Sequence, residues 1–196
     1  MAKKILQRST LGLLSLAALG MSQGIWAENT RTTLPILKIS ESAQWCDANV
    51  RSLKQRIAQL EKQTVTVQSD AAPVLAEWDQ LMASFEDFSG PISLYSNVDP
   101  DAKLRKAAED CEVKLNQLQT EIYQNPKLYQ RFKNTKAKDA IDRKYRQDIL
   151  DAFEDTGVQL PPAKRARVKT IFDELTKLSQ EFSRNIRDNP EKLEFT

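Results

Sequence analysis

Residues 99–126, DPDAKLRKAAEDCEVKLNQLQTEIYQNP, decide the fold class. Asp99 stands at an N-cap position and Pro100 in the first turn, where a missing N–H removes no helical bond. From there Leu104, Ala108, Cys111, Leu115, Leu118 and Ile122 recur at steps of 4 and 3. That period lays one apolar stripe along about five turns of α-helix. Asn125-Pro126 ends it, because the residue before a proline is pushed out of helical backbone space.

The same spacing recurs on both sides. Upstream, Cys46, Val50, Leu53, Ile57 and Leu60 mark a helix of about 20 residues after Ser40. Asp70 is placed to cap a second helix carrying Val74, Leu75, Trp78, Leu81, Met82 and Phe85. Gly90-Pro91 is expected to stop that helix and leave 91–98 as a linker. Downstream, a short fourth helix holds Leu128, Tyr129 and Phe132. A fifth runs from about Asp139 to Thr156 with Ile141, Tyr145, Ile149, Ala152 and Phe153 on one face, and Gly157 closes it. Asp139–Arg143 and Asp142–Arg146 are acid-before-base pairs at i,i+4 that support it. The sixth follows Leu160-Pro161-Pro162, carries Val168, Ile171, Leu175, Leu178, Phe182 and Ile186, and ends before Asn189-Pro190. No stretch alternates apolar and polar residues with β-branched enrichment except Thr64–Val67, which reads as a loop. The expected architecture is all-α, about six antiparallel helices, with prolines and loops favouring packing within one chain over a coiled-coil oligomer.

The first 27 residues read as an export signal. Lys3, Lys4 and Arg8 form a positive start, Leu11–Met21 an apolar run of eleven residues, and Ile25-Trp26-Ala27 a cleavage region, with cleavage expected after Ala27. Eleven residues are too few to span a bilayer, and no cysteine follows the cleavage site to be lipidated, so no stable membrane anchor is expected. The product is expected to be exported, periplasmic or secreted, as one helical domain over 28–196. Three of the five glycines, Gly12, Gly20 and Gly24, lie in the signal, which leaves Gly90 and Gly157 in the mature chain and implies long regular elements. Losing three basic residues and no acidic one turns 29 Lys+Arg against 27 Asp+Glu into 26 against 27, a net charge of −1. The sequence pI near 8.5 belongs partly to the signal and gives no ground for a nucleic-acid partner. The positive runs Lys133–Lys138 and Lys164–Lys169 read as solvated helix faces, the second against the helix dipole of its own first turns.

With 40% hydrophobic and 29% charged residues the 196-residue chain has the composition of a soluble globular protein. It has no histidine, which excludes a Ser-His-Asp triad, a Cys-His dyad and a histidine-held zinc site within these residues. Cys46 and Cys111 are the only cysteines, and both fall on apolar helix stripes. In an oxidising compartment they are expected to form a disulfide; two separate buried thiols are the other reading. Asn97, Asp99 and Asp101 alternate like the start of an EF-hand loop, but Ala102 and Ala108 stand where glycine and glutamate are needed, so they read as helix-capping groups. The adjacent pairs Glu86-Asp87, Glu154-Asp155 and Asp173-Glu174 point about 100° apart on a helix and read as solvated, not as an acid and base. Trp45, Trp78, Phe85 and Phe88 read as core. No catalytic and no metal residue is assigned.

Two segments carry a resemblance. Gly157-Val-Gln-Leu160-Pro161 followed by Arg165, Arg167, Val168, Ile171, Leu175, Leu178, Phe182 and Asn185 resembles a segment of the thimet oligopeptidase family of zinc metallopeptidases. Asn97-Val-Asp99-Pro100 followed by Leu104-Arg105-Lys106-Ala107-Ala108 and Cys111-Glu112 resembles the preceding helix of that family, in the same order and spacing. The resemblance covers about residues 40–190 and corresponds to the family's N-terminal helical region. It implies a wall of a deep channel in which short peptides are cleaved by zinc held on an HExxH helix with a downstream glutamate. This chain carries none of those metal residues, so zinc belongs to the full-length family, no cofactor is expected here, and the chain is expected to be inactive alone. Short peptides become a partner only when a catalytic domain is joined to it. A free-standing helical binding or assembly module is the alternative, and exposed apolar patches are its signature.

Overall fold

A computed structural model describes residues 35–189; the expected signal peptide, its cleavage point and both ends of the expected domain lie outside these residues. The described chain is mostly helical: α1 (Ile39–Lys62), α2 (Ala72–Val98), α3 (Ala102–Tyr123), α4 (Pro126–Lys133), α5 (Ala140–Asp155) and α6 (Pro162–Arg187). α3 is the hub, packing against α1, α2 and α6. Its stripe from Leu104 to Ile122 is buried throughout. Against it lie Cys46, Leu53 and Ile57 of α1 and Val74, Leu75, Trp78, Leu81 and Phe85 of α2. Trp78 meets Tyr123 and Phe132 edge-on at ring-centroid distances of 5.7 and 5.2 Å, and Phe153 from α5 closes the cluster. Trp45 sits edge-on to Phe88 at the α1–α2 seam. These offset edge contacts favour aromatic pairs beyond the area they bury.

The helix starts follow the side chains that can accept orphan N–H groups. Asn125 accepts from Lys127 and Leu128, and Asp139 from Asp142. α3 begins two residues later than its sequence signature predicts: Asp101, not Asp99, is the N-cap and accepts from Lys103 N–H at 2.7 Å. Asp99 accepts from Asp101 N–H and shapes the turn before the helix. Likewise Asp70 accepts from Ala72 N–H, but the N-cap position of α2 is Ala71.

α2 departs most from expectation. It does not stop at Gly90-Pro91 but runs 27 residues to Val98, so 91–98 is helix and not linker. Pro91 costs one intrahelical bond. Phe88, Ile92 and Ser96 nevertheless continue the buried line of Leu81 and Phe85, and that burial holds the backbone in register past the break. Other corrections come from side-chain competition. Ile141 is 82% exposed, outside the buried face of α5. Among the described residues Arg143 and Arg146 form no i,i+4 ion pairs with Asp139 and Asp142. Arg143 donates to Lys138 O, and Arg146 to Phe132 O and Lys133 O at the C-terminal end of α4, where carbonyls lack helical partners. Glu154 is exposed as expected and also accepts from the Tyr129 hydroxyl.

A two-residue parallel bridge, β1 (Ser69–Asp70) with β2 (Thr135–Lys136), is the strand content of the described residues. The chain enters it through Gln68 at φ 67°, whose N–H donates to Asn134 O at 2.7 Å. Beside it, buried Arg131 donates to Leu60 O and Gln63 O at the end of α1 and pairs with Glu77 at 2.7 Å. One guanidinium thus caps α1 and ties it to α2 and α4.

Candidate functional site

α6 is amphipathic, but it lies on the molecule by its polar side. Its half-buried positions are Arg165, Val168, Lys169, Asp173, Thr176, Gln180, Arg184 and Arg187, and none of its residues is buried. The apolar line expected to pack inward is outside: Ile171 41%, Leu175 50%, Leu178 61%, Phe182 66% and Ile186 63% exposed. At its start, Arg165 donates to Val158 O, and Gln124 donates to both Thr156 O and Arg165 O. Lys169, from the basic run of the first turns, lies 4.0 Å from Glu121 and 3.7 Å from Asp173, which offsets its unfavourable place in the helix dipole.

At its other end α6 is held by Glu109, a carboxylate only 4% exposed. Arg184 reaches one oxygen at 3.0 Å and Arg187 the other at 3.4 Å, while Arg187 also donates to Ser96 O at 2.9 Å. Two guanidiniums on one buried carboxylate satisfy the charge that burial would otherwise strand. Asp188, hydrogen-bonded by Arg187, is held below the usual carboxylate range.

Between these anchorages an open cleft of about 970 Å³ lies among α6, α2, α3 and the end of α5. Phe172 and Leu175 form one wall, and Phe85, Leu115 and Tyr123 contribute apolar surface opposite. Ser89, Asn116, Gln119, Ser179 and Ser183 also line it, and among the described residues their side chains make no hydrogen bond. Of its carboxylates, Glu109 is paired as above; Glu86, Glu112 and Asp155 have no cation partner among the described residues. Glu112 accepts from Ser96 Oγ at 2.7 Å. Burial, and then the charge of Glu86, push the Tyr123 phenol above its usual value. Gln180 donates to Glu109 O at 2.9 Å and reaches Glu112 at 3.4 Å, so the cleft combines an apolar wall with polar groups of which only part are unengaged, and its balance is negative.

Of the residues singled out in the sequence, Phe85, Glu86, Asn97 and Asp155 line the cleft, while Asp99, Asp101 and the two cysteines do not. Asn97, Asp99 and Asp101 hold turns and caps, with Asn97 donating to Ser93 O. Cys46 and Cys111, both 2% exposed, face each other between α1 and α3 and are joined, with Cα atoms 5.9 Å apart. The chain has no histidine, both thiols are in the bond, and among the described residues no three histidine, cysteine or acidic side chains converge. No helix of the described residues is long and apolar enough to cross a membrane. The cleft itself had no sequence signal, because its polar lining comes from four helices, α2, α3, α5 and α6, whose relative placement no spacing rule encodes.

No family model matches the chain. It is similar to the thimet-like oligopeptidase of Dictyostelium discoideum, 29% identical over 127 residues that make up 60% of this chain and 19% of that protein. The chain therefore spans about a fifth of the length of the curated relative it matches. This distant and partial likeness supports a relation to the thimet oligopeptidase family.

Proposed function

We propose that this chain is the N-terminal, channel-wall portion of an exported zinc-dependent oligopeptidase that cleaves short peptides. The partial likeness to a thimet-like oligopeptidase is the observation that carries this reading. The exposed stripe of α6 agrees with it, since five large apolar residues in line are the mark of a face meant to be covered. Zinc and its chemistry lie in polypeptide beyond these residues, and no step of hydrolysis is assigned to any side chain here. Export rests on residues 1–27, which have the charge and apolar run of a cleaved signal.

The same stripe favours a second reading, a free-standing helical binding or assembly module without activity. Reading the gene through and beyond codon 196, together with the intact mass of the exported product, separates the two. An HExxH helix in frame, or after one frameshift, supports the peptidase. A true stop with a mass matching residues 28–196 overturns it in favour of the module. In both cases the purified chain with added zinc is expected to leave short peptides intact; zinc-dependent, chelator-sensitive turnover would contradict that.

A further inference from the structure

The stripe and the cleft are neighbours on one helix. Leu175 belongs to both, Phe172 lies in the cleft, and Ile171, Leu178, Phe182 and Ile186 continue the apolar line beyond its mouth. From residue 171 to 186 that line is about 22 Å long at the helical rise per residue. A small metabolite is too short to cover it. An α-helix laid along α6 covers both, with residues at i, i+3, i+4 and i+7 meeting the stripe and one edge passing over the cleft. On that edge it meets Glu86, Glu112 and Asp155, three carboxylates with no cation partner among the described residues, while the cleft's own cation, Arg187, is engaged with Glu109 and Asp188. Burying acidic groups without countercharge is costly, so the fitting partner brings the countercharge.

We propose that the α6 face and the adjoining cleft form a docking groove for a basic amphipathic helix: leucine-like residues on one face, lysine or arginine along the edge that overlies Glu86, Glu112 and Asp155. The inference rests on the peptidase reading for the source of that helix, the polypeptide that would follow, but not for its chemistry. Unengaged Asn116 and Gln119 amides and Ser179 and Ser183 hydroxyls beside the groove can take polar groups at the helix edge.

The probe is a labelled three-heptad Leu/Lys peptide titrated into the full chain by fluorescence anisotropy, beside a Leu/Glu peptide of the same pattern. The Leu/Lys peptide is expected to bind about tenfold tighter or better, and to weaken as salt is raised. Glu86→Gln with Asp155→Asn removes two exposed, unbonded charges and is expected to weaken binding several-fold with the helical circular dichroism unchanged. Leu178→Asp with Phe182→Asp separates docking from mere charge attraction. Those changes make the surface more negative, so generic attraction of a cationic peptide would rise, whereas docking is expected to fall by about tenfold. Equal binding of the two peptides, or undiminished binding by the aspartate variant, overturns the proposal. If the groove binds but no HExxH helix is encoded downstream, the groove stands and the peptidase reading fails; if the helix is encoded but the groove does not bind, the reverse holds.

Discussion

Glu109 shows how one side chain can hold a whole helix. It is nearly sealed from solvent, and its two oxygens take Arg184 and Arg187 of α6. Glu109→Ala leaves Arg184 without a carboxylate and Arg187 with Asp188 alone, which costs about 1–3 kcal/mol. Because α6 buries no side chain of its own, the loss is expected to show first there, as faster amide exchange over 176–187 with α1 and α3 unchanged. Tyr129 is the second such residue, 4% exposed and hydrogen-bonded to Glu154. Burial first, and the Glu154 carboxylate next, push its phenol up to about 12. A native-state pKa above the unfolded value of 10.0 leaves stability intact below pH 10. Stability then declines as pH rises toward 12, where only the unfolded chain has released its proton. Denaturant titrations from pH 9 to 12 should show that decline in the wild type and a flatter limb in Tyr129→Phe.

Helices carry the next level, and α2 is the instructive one. Gly90 contributes backbone freedom the structure does not use: a Cβ there would meet nothing within 4 Å, and its φ lies outside the left-handed region. Gly90→Ala is therefore expected to raise stability by about 0.5–1 kcal/mol, read as a higher denaturation midpoint at unchanged slope. Gly157 is the contrast, at φ 84° with a built Cβ only 2.8 Å from Leu160 Cδ1, so the same change there is expected to destabilise. α1, α3, α5 and α6 were legible because apolar residues recurring at steps of 3 and 4 mark a helix whichever neighbour it meets. The continuity of α2 was not: Gly90-Pro91 is a strong local break, and only the burial of Ile92 and Ser96 against the rest of the fold reveals that it is overridden. The β1–β2 bridge was equally silent, since two residues cannot display a period of two.

At the scale of the whole molecule, periodicity reported that α6 has an apolar face and nothing about which neighbour it faces. Sequence spacing treats every stripe as core, yet α6 turns its polar side inward because Glu109, Glu121 and the end of α2 present acid and carbonyl groups to it. The cleft was invisible for the same reason. The Cys46–Cys111 bond also acts at this scale, closing a 65-residue loop. On the chain-entropy estimate such a loop contributes about 4 kcal/mol, so Cys46→Ala with Cys111→Ala is expected to lower the thermal midpoint by roughly 8–16 °C in calorimetry.

That bond also sorts the polypeptide into what is fastened and what is not. The covalent ring runs from Cys46 through all of α2 to the middle of α3, and α6 lies entirely beyond it, gripped by hydrogen bonds and ion pairs at two places. A protease working on the native protein should therefore peel before it cuts: α6, with its arginines and lysines, comes away first and the ringed helices survive as a resistant remnant. The surface best shaped to meet a partner is thus also the first to be shed when no partner arrives.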